Sequence, residues 1–147
     1  MEKLIWIITI LAIGALLPFQ AGLNTKLGKV SGSPIVASLF SFVVGTILLL
    51  AYVLISRQSI NWNELKETPV YVWLGGVIGA FYIAFTILAF PKLGPGLMFG
   101  LIVAGQMTAS VWLEHKNILV ASESPFSIYK AAGVILIIIG VILIRKF

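Results

Sequence analysis

Apolar runs of about 20 residues alternate with short polar breaks along this chain. They cover residues 4–23, 35–55, 70–90, 97–115 and 128–145. A helix of about 20 residues rises about 30 Å, the thickness of a bilayer's hydrocarbon core, so each run predicts one transmembrane helix. The expected fold is therefore an all-α integral membrane protein, a single transmembrane domain over residues 1–147 with five spans. Little chain is left over for a separate soluble catalytic domain, so any activity has to reside within the bilayer.

The breaks and the few small or polar residues inside the runs refine this picture. In the first span Pro18 has no amide proton to give the carbonyl of Gly14, so a kink is expected at Gly14 and Pro18. Small residues at Ala12-Ile13-Gly14 resemble a cleavage pattern, but Met1-Glu2-Lys3 is hardly basic and the span is expected to be retained. Gln20 and Asn24 follow the kink one helical turn apart, on a common face. Ser31-Gly32-Ser33-Pro34 predicts a turn, with Pro34 opening the second span. That span carries Ala37, Ser38, Ser41 and Gly45, a small-residue face on which helices can approach closely. Asn61 and Glu64 predict an N-cap and a short interfacial helix bearing Trp62. Gly75, Gly79, Tyr82 and Thr86 share one face of the third span, and Tyr71 and Trp73 place aromatics at its start. The break at 90–96 is short enough to predict a hairpin of the third and fourth spans. A polar loop, 117–125, leads to the fifth span, nearly all branched aliphatic, whose Gly133 and Gly140 predict a packing or dimerisation face.

Composition agrees: 60% of residues are hydrophobic, 10% are charged and the mean hydropathy is +1.10, against about 25% charged in soluble domains. The chain has no cysteine, so disulfides, thiolate metal sites and cysteine nucleophiles are excluded. A net charge of +5 comes from lysines and arginines scattered over the span ends, as interface anchors are, and not from a patch that would bind nucleic acid. With five spans, Lys3, Arg57, Lys66, Lys116 and Lys130 fall on one side and Lys26, Lys29, Lys92, Arg145 and Lys146 on the other. Short-loop basic residues normally set orientation, so this balance leaves it open. Either the insertion machinery resolves a marginal bias, or the protein inserts both ways and pairs with an inverted copy of itself.

Candidate chemistry concentrates in the fourth span. Gln106, Ser110 and Glu114 recur every four residues, a polar strip beside Gly96 and Gly100. An amide such as that of Gln106 near the bilayer centre needs a partner or water, since stranding it in hydrocarbon costs several kcal/mol. It serves either to bind helices together or to contact substrate, and the same alternatives hold for Gln20 and Asn24. Glu114, close to its helix end, can act as a gate, as an ion-coupling group or as an interface anchor that snorkels to water. His115 reads as an interface residue. No phosphate-binding loop, nucleophile–base pair or cluster of metal ligands occurs, so no enzyme activity, metal or cofactor is expected.

The order of features resembles a known family. Gln20-Ala21-Gly22-Leu23-Asn24, Ser41-Phe42 with Gly45, Trp73-Leu74-Gly75-Gly76 with Gly79, Pro91-Lys92-Leu93-Gly94, Gly105-Gln106 and the Gly133–Gly140 helix are similar to the YdcZ-type branch of the drug/metabolite transporter superfamily. The likeness spans almost the whole chain. It implies a five-helix bacterial inner-membrane transporter subunit, one half of an inverted-repeat bundle. Small multidrug resistance proteins are implied relatives, and an antiparallel dual-topology dimer, or pairing with a homologous partner, is implied with them. Those smaller proteins couple export to protons through a glutamate deep in the first helix, whereas this first span has no carboxylate. Proton coupling therefore does not transfer. From these readings a small-molecule site is expected between Gln20 and Asn24 of the first span and Gln106 and Ser110 of the fourth, with Tyr82 contributing and Glu114 as gate or coupling group.

Overall fold

Ser31 to Pro34 form the turn that the sequence predicts. In a computed structural model, which describes residues 2–120 and 126–146, Gly32 takes φ 73°, the left-handed conformation that favours glycine. Ser33 then caps the next helix, its Oγ accepting from the Val36 N–H at 3.4 Å, with Pro34 in the first turn. The helices so joined are α1, Glu2–Ser31, and α2, Pro34–Ile55. Helix α1 continues through Pro18 and extends past the predicted span at both ends, which brings Glu2 into its exposed first turn. Asn61 caps the short α3, Trp62–Glu67, accepting from the Glu64 N–H as its sequence position predicts.

A 3₁₀ turn, Val70–Trp73, leads into α4, Leu74–Lys116. Its 43 residues would measure about 65 Å as one straight helix, about twice the hydrocarbon thickness. Gly94 interrupts it, with φ 73° and ψ 160°. Roughly 20 residues lie on either side of that glycine, each long enough for one crossing. The predicted break at 90–96 is thereby narrowed to one non-helical residue, because Pro91 is tolerated within the helix and Pro95 starts the next length. Helix α5 is Ile128–Lys146. Four helical segments are long and apolar enough to cross a membrane, Val70–Lys116 being the one with two spans' length. Every regular element among the described residues is helical. Residues 121–125 of the predicted polar loop lie outside the described residues.

The chain divides into two compact units, residues 1–91 and 92–147. In the first, α1 and α2 run antiparallel from the Gly32 turn and meet through small residues. Ala21, Asn24, Thr25 and Gly28 of α1 are buried, as are Ala37 and Ser38 of α2 and Ala84, Thr86 and Ile87 of α4. A Cβ on Gly28 would lie 3.1 Å from Ile87 Cγ2 and 3.8 Å from Ala37 Cβ, so this glycine sets how closely the helices approach. Buried hydroxyls are satisfied locally: Thr25 donates to the Ala21 carbonyl, Ser38 to that of Pro34 and Thr86 to that of Ile83, each at 2.8 Å. Away from this layer the helices carry exposed aliphatic side chains, such as Leu11 and Leu49, as lipid-facing surfaces do.

In the second unit α5 runs antiparallel to the part of α4 beyond Gly94. The register is fixed at three levels. A Cβ on Gly96 would be 3.6 Å from Ile144, one on Gly100 would be 3.0 Å from Val141 Cγ2, and near the other end the Lys130 ammonium meets the Glu114 carboxylate at 2.6 Å. Val141 is β-branched and stiff about χ1, so it cannot rotate out of the way. Gly100→Ala is accordingly expected to destabilise the protein by about 1 kcal/mol despite alanine's better helix propensity, and Val141→Ala in the same chain to restore it. Detergent unfolding of the single and double variants checks this.

Candidate functional site

A groove between α1 and α2 gathers the polar residues of the first unit. Gln20 and Asn24, already on one face of α1, meet Ser41 of α2, whose hydroxyl donates to Asn24 Oδ1. Asn24 and Ser41 each lie roughly 12 Å of helix rise from the turn that joins their helices, so the antiparallel pairing brings them to one depth. A cavity of about 570 Å³ opens here, lined by Gln20, Asn24, Ser41, Gly45, Phe40 and other apolar side chains of α2. A second space of about 230 Å³ adjoins it, sharing Gln20, Ser41 and Gly45 and adding Phe42, Thr46 and Ile83. Gly45 has no atom within 4 Å of where a Cβ would be, so its missing side chain leaves room in the groove.

The two amides differ in state. Asn24 is buried, 8% exposed, and its carbonyl oxygen is taken by Ser41. Gln20 is exposed on the groove wall and its amide makes no hydrogen bond among the described residues. Asn24 thus contributes to holding α1 against α2, as an interhelical hydrogen bond does. Gln20 presents two donors and an acceptor to whatever occupies the groove. Tyr82, on α4 in the same unit, is half-buried.

Gln106 and Ser110 belong to the second unit. Both are exposed, and Gln106, like Gln20, has no hydrogen-bond partner among the described residues. Thr108 between them is satisfied by the Ala104 carbonyl at 2.8 Å. Glu114 is engaged in the ion pair with Lys130, their side chains 34% and 28% exposed. Next to it the His115 ring meets Phe126 edge-on at 6.0 Å, an apolar contact. Gly133 and Gly140 of α5, predicted as packing positions, have no atom within 4 Å of a Cβ position, so their faces are open in the single chain.

A family model described as "Putative inner membrane exporter, YdcZ" matches residues 5–143. The chain belongs to that family. No curated protein and no solved structure matches it. As a YdcZ-family chain with four helical segments long and apolar enough to span a bilayer, it is a multi-pass protein of the inner membrane. The family points to a transporter and not to an enzyme. In this YdcZ chain the polar groups that line the groove of the first unit are amides and hydroxyls, without a carboxylate.

Ser41 and Thr46 are the groove residues that the sequence reading did not assign to a site. In the sequence Ser41 belongs to a small-residue packing face, and Thr46 is a single polar residue in an aliphatic run. Spacing gave a signal for one of them: Ser41 and Gly45 lie one helical turn apart on a common strip, whereas Thr46 is well round the helix from Ser41 and joins the pocket only through the packing of α2 in the fold.

Proposed function

We propose that this chain is a subunit of a small-molecule exporter that works by alternating access as an antiparallel dual-topology dimer, each copy supplying one half of an inverted-repeat bundle. A homologous partner in the opposite orientation would serve in place of the second copy. The observation that carries the reading is the groove of Gln20, Asn24 and Ser41. An amide with unused donors facing an open cavity, within an apolar helix, is costly unless a solute or water meets it. Gln106 and Ser110, exposed in an equally apolar segment, are further substrate contacts in this reading, and Tyr82 an aromatic one. The even distribution of basic residues and the open Gly133 and Gly140 positions on α5 support pairing of inverted copies. Pro18 leaves the Gly14 carbonyl without its helical donor, which in this reading gives the first helix a place to bend during the cycle.

Glu114 is proposed as a gate. Its ion pair ties the end of α4 to the start of α5, and a pair this accessible can break and re-form at modest cost. A second reading, a non-transporting subunit whose polar residues hold helices together, has one specific observation in its favour, the Asn24–Ser41 bond. The two part at Gln106→Leu. For a transporter the variant keeps its dimer stability and loses transport of the metabolite or lipophilic cation that best raises the thermal midpoint of the purified protein; for a helix-holding residue it weakens the dimer instead. Carboxyl-terminal reporters active on only one side of the membrane test dual topology. Signal from a single side, in cells without a homologous partner, would contradict it.

A further inference from the structure

Beside the polar groove, in the same unit, α2 and the first part of α4 flank a third space, an open apolar cleft of about 420 Å³. Its walls include Ile35, Leu39, Phe42, Val77, Ala80 and Phe81. The hydroxyl that lines it, that of Ser38, is already spent on the Pro34 carbonyl, which leaves the cavity without a free polar group. Phe42 belongs to both spaces: its ring rests over Gly79, 3.6 Å from a Cβ placed there, and forms the partition between the apolar cavity and the pocket of Gln20, Ser41 and Thr46. An apolar cleft and a hydrogen-bonding pocket, both open to the surface, thus share a wall that includes the Phe42 ring. Every residue lining the three spaces is uncharged.

From this juxtaposition we infer that the groove takes a neutral amphiphile, its apolar body in the α2–α4 cavity and an uncharged amide or hydroxyl head on Gln20, Ser41 and Thr46. The inference rests on the proposed function and deepens it by naming the substrate class. The electrostatic argument is direct. An ammonium or carboxylate head would leave water with no counter-charge on the walls to offset its desolvation. A neutral head loses far less hydration, and glutamine's two donors and acceptor replace what it loses. The apolar body gains in proportion to the area it removes from water. Phe42 lines both spaces, so a ligand spanning them would lie against its ring.

A matched series separates head from tail: decanamide, decyltrimethylammonium, decanoate and propionamide, with dioctanoylphosphatidylcholine standing for bilayer lipid. Thermal midpoints of the full chain in micelles are measured with each. Decanamide is expected to raise the midpoint most. Ala80→Leu, which fills the apolar cavity, and Gln20→Ala, which removes the head contact, are each expected to weaken its binding about tenfold. Were decyltrimethylammonium or decanoate to stabilise best, still sensitive to Gln20→Ala, the groove would remain the binding site and the neutral class would be overturned. The inference would likewise fall if propionamide matched decanamide, or if the phosphatidylcholine stabilised equally with no effect of Gln20→Ala. A shift insensitive to both substitutions would remove the groove as the site, and with it the proposed function's main support.

Discussion

Gln20→Leu is expected to lower transport about tenfold or more while leaving the thermal midpoint within a few degrees of the parent. The side chain is exposed on the groove wall and makes no hydrogen bond within the described chain, so its removal strands no protein group. What is lost is hydrogen bonding to the occupant, worth about 1 kcal/mol for a neutral pair, together with a polar surface that leucine cannot supply. Flux into liposomes of the compound that most stabilises the purified protein reads the effect. Asn24→Leu is the informative contrast. It leaves the Ser41 hydroxyl without its acceptor and should cost stability as well as flux, by about 0.6 kcal/mol and not above about 1.7 on the scale of interhelical bonds in membranes. Equal loss of stability in the two variants would make Gln20 another residue that holds helices together.

The largest expected effect on stability is at Gly28. Its backbone approaches α2 and α4 so closely that Ile87 Cγ2 lies 3.1 Å from a Cβ position, with Ala37 Cβ and Pro34 Cα both at 3.8 Å. Leucine there would have to displace all three, and Gly28→Leu should destabilise the first unit by about 3 kcal/mol, the upper part of the usual range for overpacking. Ile87→Ala in the same chain should recover less than half, because Ala37 and Pro34 still wall the other sides. At Gly76, where nothing lies within 4 Å, the same substitution should change stability by less than about 0.5 kcal/mol. Denaturing-detergent titration of the three variants would reveal whether the close approach is as strict as the geometry requires.

The all-helical, membrane-spanning character was legible because hydrocarbon thickness imposes a length on every crossing and the chain has few charges to blur it. Turn chemistry was equally readable at Ser31–Pro34 and at Asn61, where a local side-chain cap decides the helix start. Within the 90–96 break, the structure interrupts the helix at Gly94 alone. Proline in a helix costs one hydrogen bond without ending the helix, so only Gly94, with its positive φ, interrupts α4. At the site, helical spacing joined Gln20 to Asn24 on one strip. The equal distance of Asn24 and Ser41 from the Ser31–Pro34 turn puts them at one depth, but helical spacing alone could not say that Ser41 turns toward Asn24, because that depends on how α2 is rotated about its axis against α1, which close contacts such as that of Gly28 with Ala37 fix. The pairing of Glu114 with Lys130 was hidden for the same reason: it depends on α5 lying antiparallel along α4, through Gly96 and Gly100. A polar strip of Gln106, Ser110 and Glu114 read as one feature thus separates into exposed groups and a charge pair.

The chain has no cysteine, so one introduced at Thr46 can be labelled alone. Thr46 lines the groove with Gln20 and Ser41, and Leu50→Cys, one helical turn further along α2, is an apolar comparison. Treating sealed vesicles with a membrane-impermeant maleimide from each side in turn tests the central claim, that this groove is a solute path opened alternately to the two faces of the membrane. The account predicts near-complete modification of Cys at position 46 from either side, and little at position 50. Modification that stops near half from each side, as two fixed orientations of a one-sided groove would give, or that occurs from one side only or not at all, would contradict it.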